Sequence, residues 1–171
     1  MATGTLISEE EYLHTSYEPD CEYEDGVLIE RNVGTKKHGW LQTALSAYFF
    51  PRRHSWKICP YSDTRVKVRP GKYLLPDLCL LQAPDPDPGA DIINTVPFVW
   101  IEILSPDDRY SRVMKKVKDV LAMGCPYVWV IDPKTLESHL HTAQGAVALI
   151  DGTLRIPGTK IVVPLKKVLE D

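Results

Sequence analysis

Two periods of hydrophobic residues run along this chain, and the switches between them mark its elements. Leu41, Ala44, Leu45, Tyr48 and Phe49 recur at helical spacing, which predicts a helix over Lys37 to Phe50 that Pro51 stops. Val113, Val117, Val120 and Leu121 form a second stripe, predicting a helix from about Arg109 to Met123 that Ser105-Pro106-Asp107-Asp108 opens and Gly124 ends. Ser8-Glu9-Glu10-Glu11 has the capping-box pattern, so a short helix begins near Ser8. Thr64 to Arg69 alternates polar and apolar as a half-exposed strand does, and Glu22 to Glu30 reads as a hairpin with Asp25-Gly26 in its turn.

The remaining apolar runs are short. Trp56 to Cys59, Tyr73 to Leu81, Phe98 to Leu104 and Tyr127 to Ile131 read as strands, the last stopped by Asp132-Pro133. Ala83 to Gly89 carries alternating prolines, which forbid both helix and ladder. Ser138–Thr142, Ala146–Ile150 and Ile161–Leu165 suggest further short strands. The order helix, three strands, helix, strand predicts an α/β sandwich around a mixed (α+β) sheet, with an N-terminal hairpin and C-terminal strands added. One domain over residues 1–171 is the expectation from length.

Composition narrows the class. With 44% hydrophobic and 25% charged residues the chain is ordinary for a globular protein, and no apolar run approaches membrane-spanning length. Met1 to Leu6 lacks a basic segment followed by an apolar one, so no signal peptide is expected and the cytoplasm is the expected compartment. Cys21, Cys59, Cys79 and Cys125 form no CxxC pair, which reads as thiols used as small hydrophobes rather than a zinc or disulfide framework. His139 and His141 alternate on a late strand, but two ligands without a third are weak grounds for zinc.

Charge is patterned more than its net value of −3 suggests. Nine acids and no base fall between Glu9 and Glu30, then ten bases and one acid, Asp63, between Arg31 and Lys72. Seven acids and no base follow from Tyr73 to Asp108, before Arg109, Arg112, Lys115, Lys116 and Lys118. Blocks of this kind fit an acidic pocket rimmed by phosphate-holding bases, as well as a plain solvated surface.

Two acids stand out. Glu102 lies inside an otherwise apolar strand, and Asp77 follows Pro76 at the head of another. An acid in such a run is costly unless paired or ligated. Two carboxylates on neighbouring strands can share a hard cation, and Mg²⁺ takes one or two of them with waters and phosphates.

Pro76-Asp77 with Glu102-Ile103-Leu104 resembles the PD-(D/E)XK motif of restriction-endonuclease-like proteins. More finely, the chain resembles the Uma-type family of bacterial endonuclease-like proteins. The resemblance covers nearly the whole chain: the Glu22-to-Gly26 turn, His38, Leu75-Pro76-Asp77 and Ile101 to Pro106. It continues through Lys116, Gly124 and Tyr127 to Pro133. It implies a nuclease that cuts phosphodiester bonds, DNA before RNA, with Asp77 and Glu102 binding Mg²⁺ or Mn²⁺.

In one position the sequence departs from the superfamily. Leu104 stands where that pattern has a lysine, and the resemblance assigns the missing role to Lys116 on the following helix. Arg109, Arg112 and Lys116 share one helix face, so the two arginines, with bases between Arg52 and Lys72, are candidate phosphate contacts. The first helix supplies no acid, which leaves Glu22 or Glu30 from the hairpin to substitute, and His38 is a further second-tier candidate. Leu104 also supports an alternative, a non-catalytic nucleic-acid-binding or assembly module on the same fold. Exposed C-terminal strands suit a homodimer. Loss of either acid is expected to spare the fold, and to stabilise it if the two repel each other.

Overall fold

The computed structural model describes residues 6–170. After the N-cap Ser8, whose hydroxyl accepts from Glu11 N at 3.0 Å, comes α1 (Glu9–Leu13). The hairpin β1 (Cys21–Glu24) and β2 (Val27–Glu30) turns through Asp25 and Gly26, both at positive φ, where glycine is the easy residue. Thr35 caps α2 (Lys36–Phe49), a 3₁₀ turn over Phe50–Arg52 follows, and α3 (Arg53–Trp56) ends at Lys57 in the left-handed region. Strand β3 is Ile58–Ser62, so Trp56 closes a helix instead of opening a strand.

The run from Tyr73 to Leu81 is two strands, not one. After β4 (Val66–Arg69), β5 (Lys72–Leu74) pairs with β1 and β4 in a four-stranded antiparallel sheet ordered β2-β1-β5-β4. The chain then leaves that sheet at Leu75-Pro76-Asp77 and enters another as β6 (Leu78–Gln82). The reason is local: proline has no N–H for a ladder, and Pro76 falls at the crossing. Asp77 is thereby placed at the junction of two sheets.

The second sheet gains β7 (Val99–Ile103) and, after α4 (Tyr110–Ala122), β8 (Tyr127–Ile131), β9 (Ser138–Thr142) and β10 (Gly145–Ala148). Its order is β10-β9-β8-β7-β6-β3, and the β7–β8 pair joined through α4 is parallel while the others are antiparallel. The chain closes with β11 (Thr153–Arg155), β12 (Val162–Pro164) and α5 (Leu165–Glu170). Neither β11 nor α5 follows from the hydrophobic pattern, because each is too short to show a period.

Both faces of the large sheet are covered, as its continuous apolar strands require. Leu78, Leu80, Ile101, Ile103 and Trp129 pack with Leu41, Leu45 and Phe49 of α2 and with Leu154, Val163, Leu165 and Val168. On the other face Cys79, Leu81, Trp100, Val128 and Val130 pack with Val117 and Val120 of α4, and with Val66 and Leu74 of the small sheet. Trp100 is fully buried, and its truncation to alanine would cost about 3–5 kcal/mol. All four cysteines are free thiols, three of them buried. No helix among the described residues is long and apolar enough to cross a membrane.

Candidate active site

Strand alternation aims Glu102 at the α4 face. Residues two apart share a side of a strand, so Glu102 lies beside Trp100, whose indole N–H donates to Glu102 Oε1 at 2.5 Å. From α4, Lys116 reaches the same oxygen at 2.7 Å. Its ammonium also meets Glu22 Oε1 at 2.6 Å and the Leu75 carbonyl at 2.8 Å. A lysine has three N–H donors, and these three acceptors match them. Lys116 thus joins β1 of the small sheet, β7 of the large sheet and the crossing between them.

Asp77 is held from three directions. Its Oδ2 accepts the Ile103 N–H at 2.7 Å, while Oδ1 accepts Arg31 Nη2 at 2.9 Å and lies 3.3 Å from His38 Nε2. His38 sits in the first turn of α2, where a Cβ on Gly34 would come within 2.8 Å of its Nδ1, so only glycine lets that loop lie against the ring. Gln42, one helical turn beyond His38, donates to the Asp77 carbonyl at 2.9 Å and to Asp63 Oδ2 at 2.6 Å. The loop into α4 is fixed by Asp108, which accepts from Ser105 N at 2.6 Å and from Asn32 Nδ2 at 2.7 Å.

These groups line one open cavity of about 320 Å³, which includes Glu22, Arg31, His38, Gln42, Asp63, Asp77, Glu102, Arg112 and Lys116. Its electrostatics separate the two strand acids. Burial raises the Glu102 carboxyl, Lys116 opposes that, and the neighbouring Asp77 and Glu22 carboxylates raise it again, leaving it pushed up to about 7. Burial also raises Asp77, but His38, the Ile103 N–H and Lys116 outweigh it and hold the carboxyl below its usual value. His38 is held above its ordinary value by its hydrogen bond to Asp77, against the opposing effect of burial. Burial opposes the charge on Lys116, yet Glu102 and Glu22 together keep it firmly cationic.

Asp77, Glu102, Lys116, Glu22 and His38 therefore come together, and Arg112 joins them at the rim. Its guanidinium donates to the Glu30 carbonyl at 2.7 Å and is 4.0 Å from Glu22. Glu30 itself is exposed at the end of β2, paired in register with Cys21 while Glu22 pairs with Ile29, so the Glu30 carboxylate is not brought in. Arg109 is the exposed N-cap residue of α4, outside the cavity lining. The bases after Arg52 mostly meet acids of the N-terminal region: Arg65 pairs with Asp20, Lys67 with Glu9, and Arg69 with Asp25. Lys72 is buried between Glu24 and Asp119. The charge blocks thus pair largely with one another. Arg31, Gln42, Asp63, Asn32 and Asp108 were not foreseen; only Gln42, at i+4 from His38, and Asp63, the lone acid in a basic block, left any trace in the sequence.

Comparison with known proteins places the chain in a family. In solved structures, the chain matches a "putative nuclease belonging to DUF820" from Anabaena variabilis ATCC 29413. The TM-score is 0.82 at 22% identity, over 96% of this chain and 98% of that one. That likeness shows that the two share a fold. A DrdV–DNA complex matches at a TM-score of 0.40 and 14% identity, over 79% of this chain and 13% of that one, too low a score to bear on the fold. No curated protein matches. The model of the Uma2 family, described as "Putative restriction endonuclease", matches residues 9–161, and the chain belongs to that family.

Proposed function

We propose that this protein is a divalent-metal-dependent nuclease that hydrolyses phosphodiester bonds of nucleic acid, DNA first among its substrates. The observation that carries the reading is the convergence of three carboxylates, Asp77, Glu102 and Glu22, and one ammonium, Lys116, in a single open cavity.

The donor set fits a hard cation. Its side-chain ligands are carboxylate oxygens, and burial, with the neighbouring Asp77 and Glu22 carboxylates, makes the negative charge on Glu102 costly without a cation beyond Lys116. Among the described residues no group of three or more His, Cys, Asp or Glu side chains is arranged to hold a metal. Mg²⁺ or Mn²⁺ needs only one or two protein carboxylates when waters and phosphates complete the shell, so Asp77 and Glu102 suffice. When bound, such an ion stabilises charge on a phosphate and eases deprotonation of a water.

The chain's own residues do the rest. Lys116, already cationic beside Glu102, would turn the N–H it gives Glu102 to a phosphate oxygen or an attacking water when that carboxylate holds a cation. Glu22 and the Leu75 carbonyl fix its position. His38 and the Ile103 N–H orient Asp77. Arg112, at the rim, is placed for a backbone phosphate. The family description supports DNA as substrate.

A cleavage assay on plasmid, single-stranded DNA and RNA, with Mg²⁺, with Mn²⁺ and with EDTA, tests the proposal. Cation-dependent cutting that EDTA abolishes is the expected result. A protein that binds nucleic acid but cuts none under any condition would establish the non-catalytic alternative.

A further inference from the structure

Arg31 takes no part in the mechanism above, yet it is among the most constrained side chains in the cavity. Its guanidinium bridges two carboxylates, Nη1 donating to Asp63 Oδ1 and Nη2 to Asp77 Oδ1, both at 2.9 Å. The two partners differ. The Asp77 side chain is 4% exposed, whereas that of Asp63 is 51% exposed. Asp63 is nonetheless fixed, because Gln42 donates to its other oxygen at 2.6 Å. Asp63 also adopts a φ of 47°, in the left-handed region that non-glycine residues seldom occupy.

A cation held by Asp77 would compete with the Arg31 fork for the negative charge of that carboxylate. Whichever gives way, the Asp63 contact does not depend on Asp77 and keeps the guanidinium at the cavity. A fork released on one side and tethered on the other offers N–H groups to a phosphate, for which guanidinium is well shaped.

We propose that Arg31 is a substrate-binding residue that exchanges Asp77 for a phosphate oxygen when a cation occupies the site, with Asp63 as the tether that holds it there. This rests on the nuclease reading and adds to it a residue that couples cation loading to substrate binding. Without cation Arg31 neutralises Asp77; with cation it is free for the anion.

The test uses the full chain and two variants, Arg31→Gln and Arg31→Lys, whose thermal melts check that each is folded. Mn²⁺ is titrated calorimetrically, and binding of a labelled duplex oligonucleotide is followed in EDTA and in Ca²⁺. Arg31→Gln should bind Mn²⁺ about tenfold more tightly, because a competing charge is gone. It should bind duplex like wild type in EDTA and about tenfold more weakly in Ca²⁺. Arg31→Lys keeps the charge but not the fork, so it should bind Mn²⁺ like wild type and still lose the Ca²⁺-dependent part of duplex binding. Unchanged or weaker Mn²⁺ binding by Arg31→Gln overturns the exchange even if the protein cuts DNA, as does an equal loss of duplex affinity with and without cation. A wild type that binds Mn²⁺ but neither binds nor cuts nucleic acid ends the nuclease reading and the phosphate half of this one.

Discussion

Lys116 Nζ lies 2.7 Å from Glu102 Oε1, a contact made across the whole of the β7–α4 connection. The position two residues beyond Glu102 holds Leu104, which has no charge to offer, while α4 brings the Lys116 ammonium to the Glu102 carboxylate. The same ammonium also holds Glu22 at 2.6 Å.

Lys116→Ala should lower the single-turnover cleavage rate by about 10²-fold or more with little change in duplex affinity, since its charge acts chiefly in the transition state. Lys115 is the internal control. It is 58% exposed and pairs with Glu24 at 2.5 Å, an exposed ion pair worth about 1 kcal/mol or less. Lys115→Ala should therefore cut at nearly the wild-type rate. Normal cleavage by Lys116→Ala, or a dead Lys115→Ala, removes Lys116 from the mechanism.

The two strand acids should respond oppositely to neutralisation, although repulsion between them alone predicts that losing either one stabilises the protein. Glu102 titrates near 7, above its unfolded value, so its contribution to stability is present below about pH 4.5 and lost as pH rises through 7. Glu102→Gln should then be more stable than wild type at pH 8 without cation, by on the order of 2 kcal/mol, with the advantage vanishing toward pH 5. Asp77 is depressed, so its contribution is present above its unfolded value and lost only in strong acid. Asp77→Asn leaves Arg31 without its buried partner and should cost on the order of 3 kcal/mol at pH 7. His38 is raised by its bond to Asp77, so its share is present below the ordinary histidine value and is lost as pH rises through its raised one; Asp77→Asn removes that share as well. Urea melts of the three proteins from pH 5 to 8 decide the matter, and equal signs for the two variants contradict it.

Duplex binding should weaken steeply with added salt, because phosphate contacts release counterions. Arg112→Glu, at the cavity rim, should lose the most affinity and flatten the salt slope, and Arg109→Glu, exposed at the start of α4, should lose less. Lys166 and Lys167 on α5 serve as controls, since α5 packs through Leu165 and Val168 against the opposite face of the large sheet. Equal losses at all four would make the basic rim an ordinary solvated surface.

What could be read from the sequence follows from the physics of each element. Helices α2 and α4 are long, and strands β7 and β8 are apolar but for Glu102, so their pattern specifies them without tertiary help. The break at Leu75-Pro76-Asp77 was hidden because apolar residues continue across it, and only pairing with two different sheets reveals that one run serves both. Asp77 and Glu102 stood out because an acid among apolar neighbours needs a reason. Arg31 and Asp108 did not, because charges in loops are ordinary and their roles depend on partners far away in the chain, Asp77 for one and Asn32 for the other. Glu22 and Glu30 were equivalent in the sequence, and strand register separates them.

The central claim is that Asp77 and Glu102 together hold one divalent cation. Anomalous diffraction from a crystal of the protein soaked in Mn²⁺ tests it most directly. The account predicts a single strong peak about 2.1 Å from a carboxylate oxygen of each residue, and its loss in Glu102→Gln. A peak at other residues, or none at saturating Mn²⁺, would contradict it.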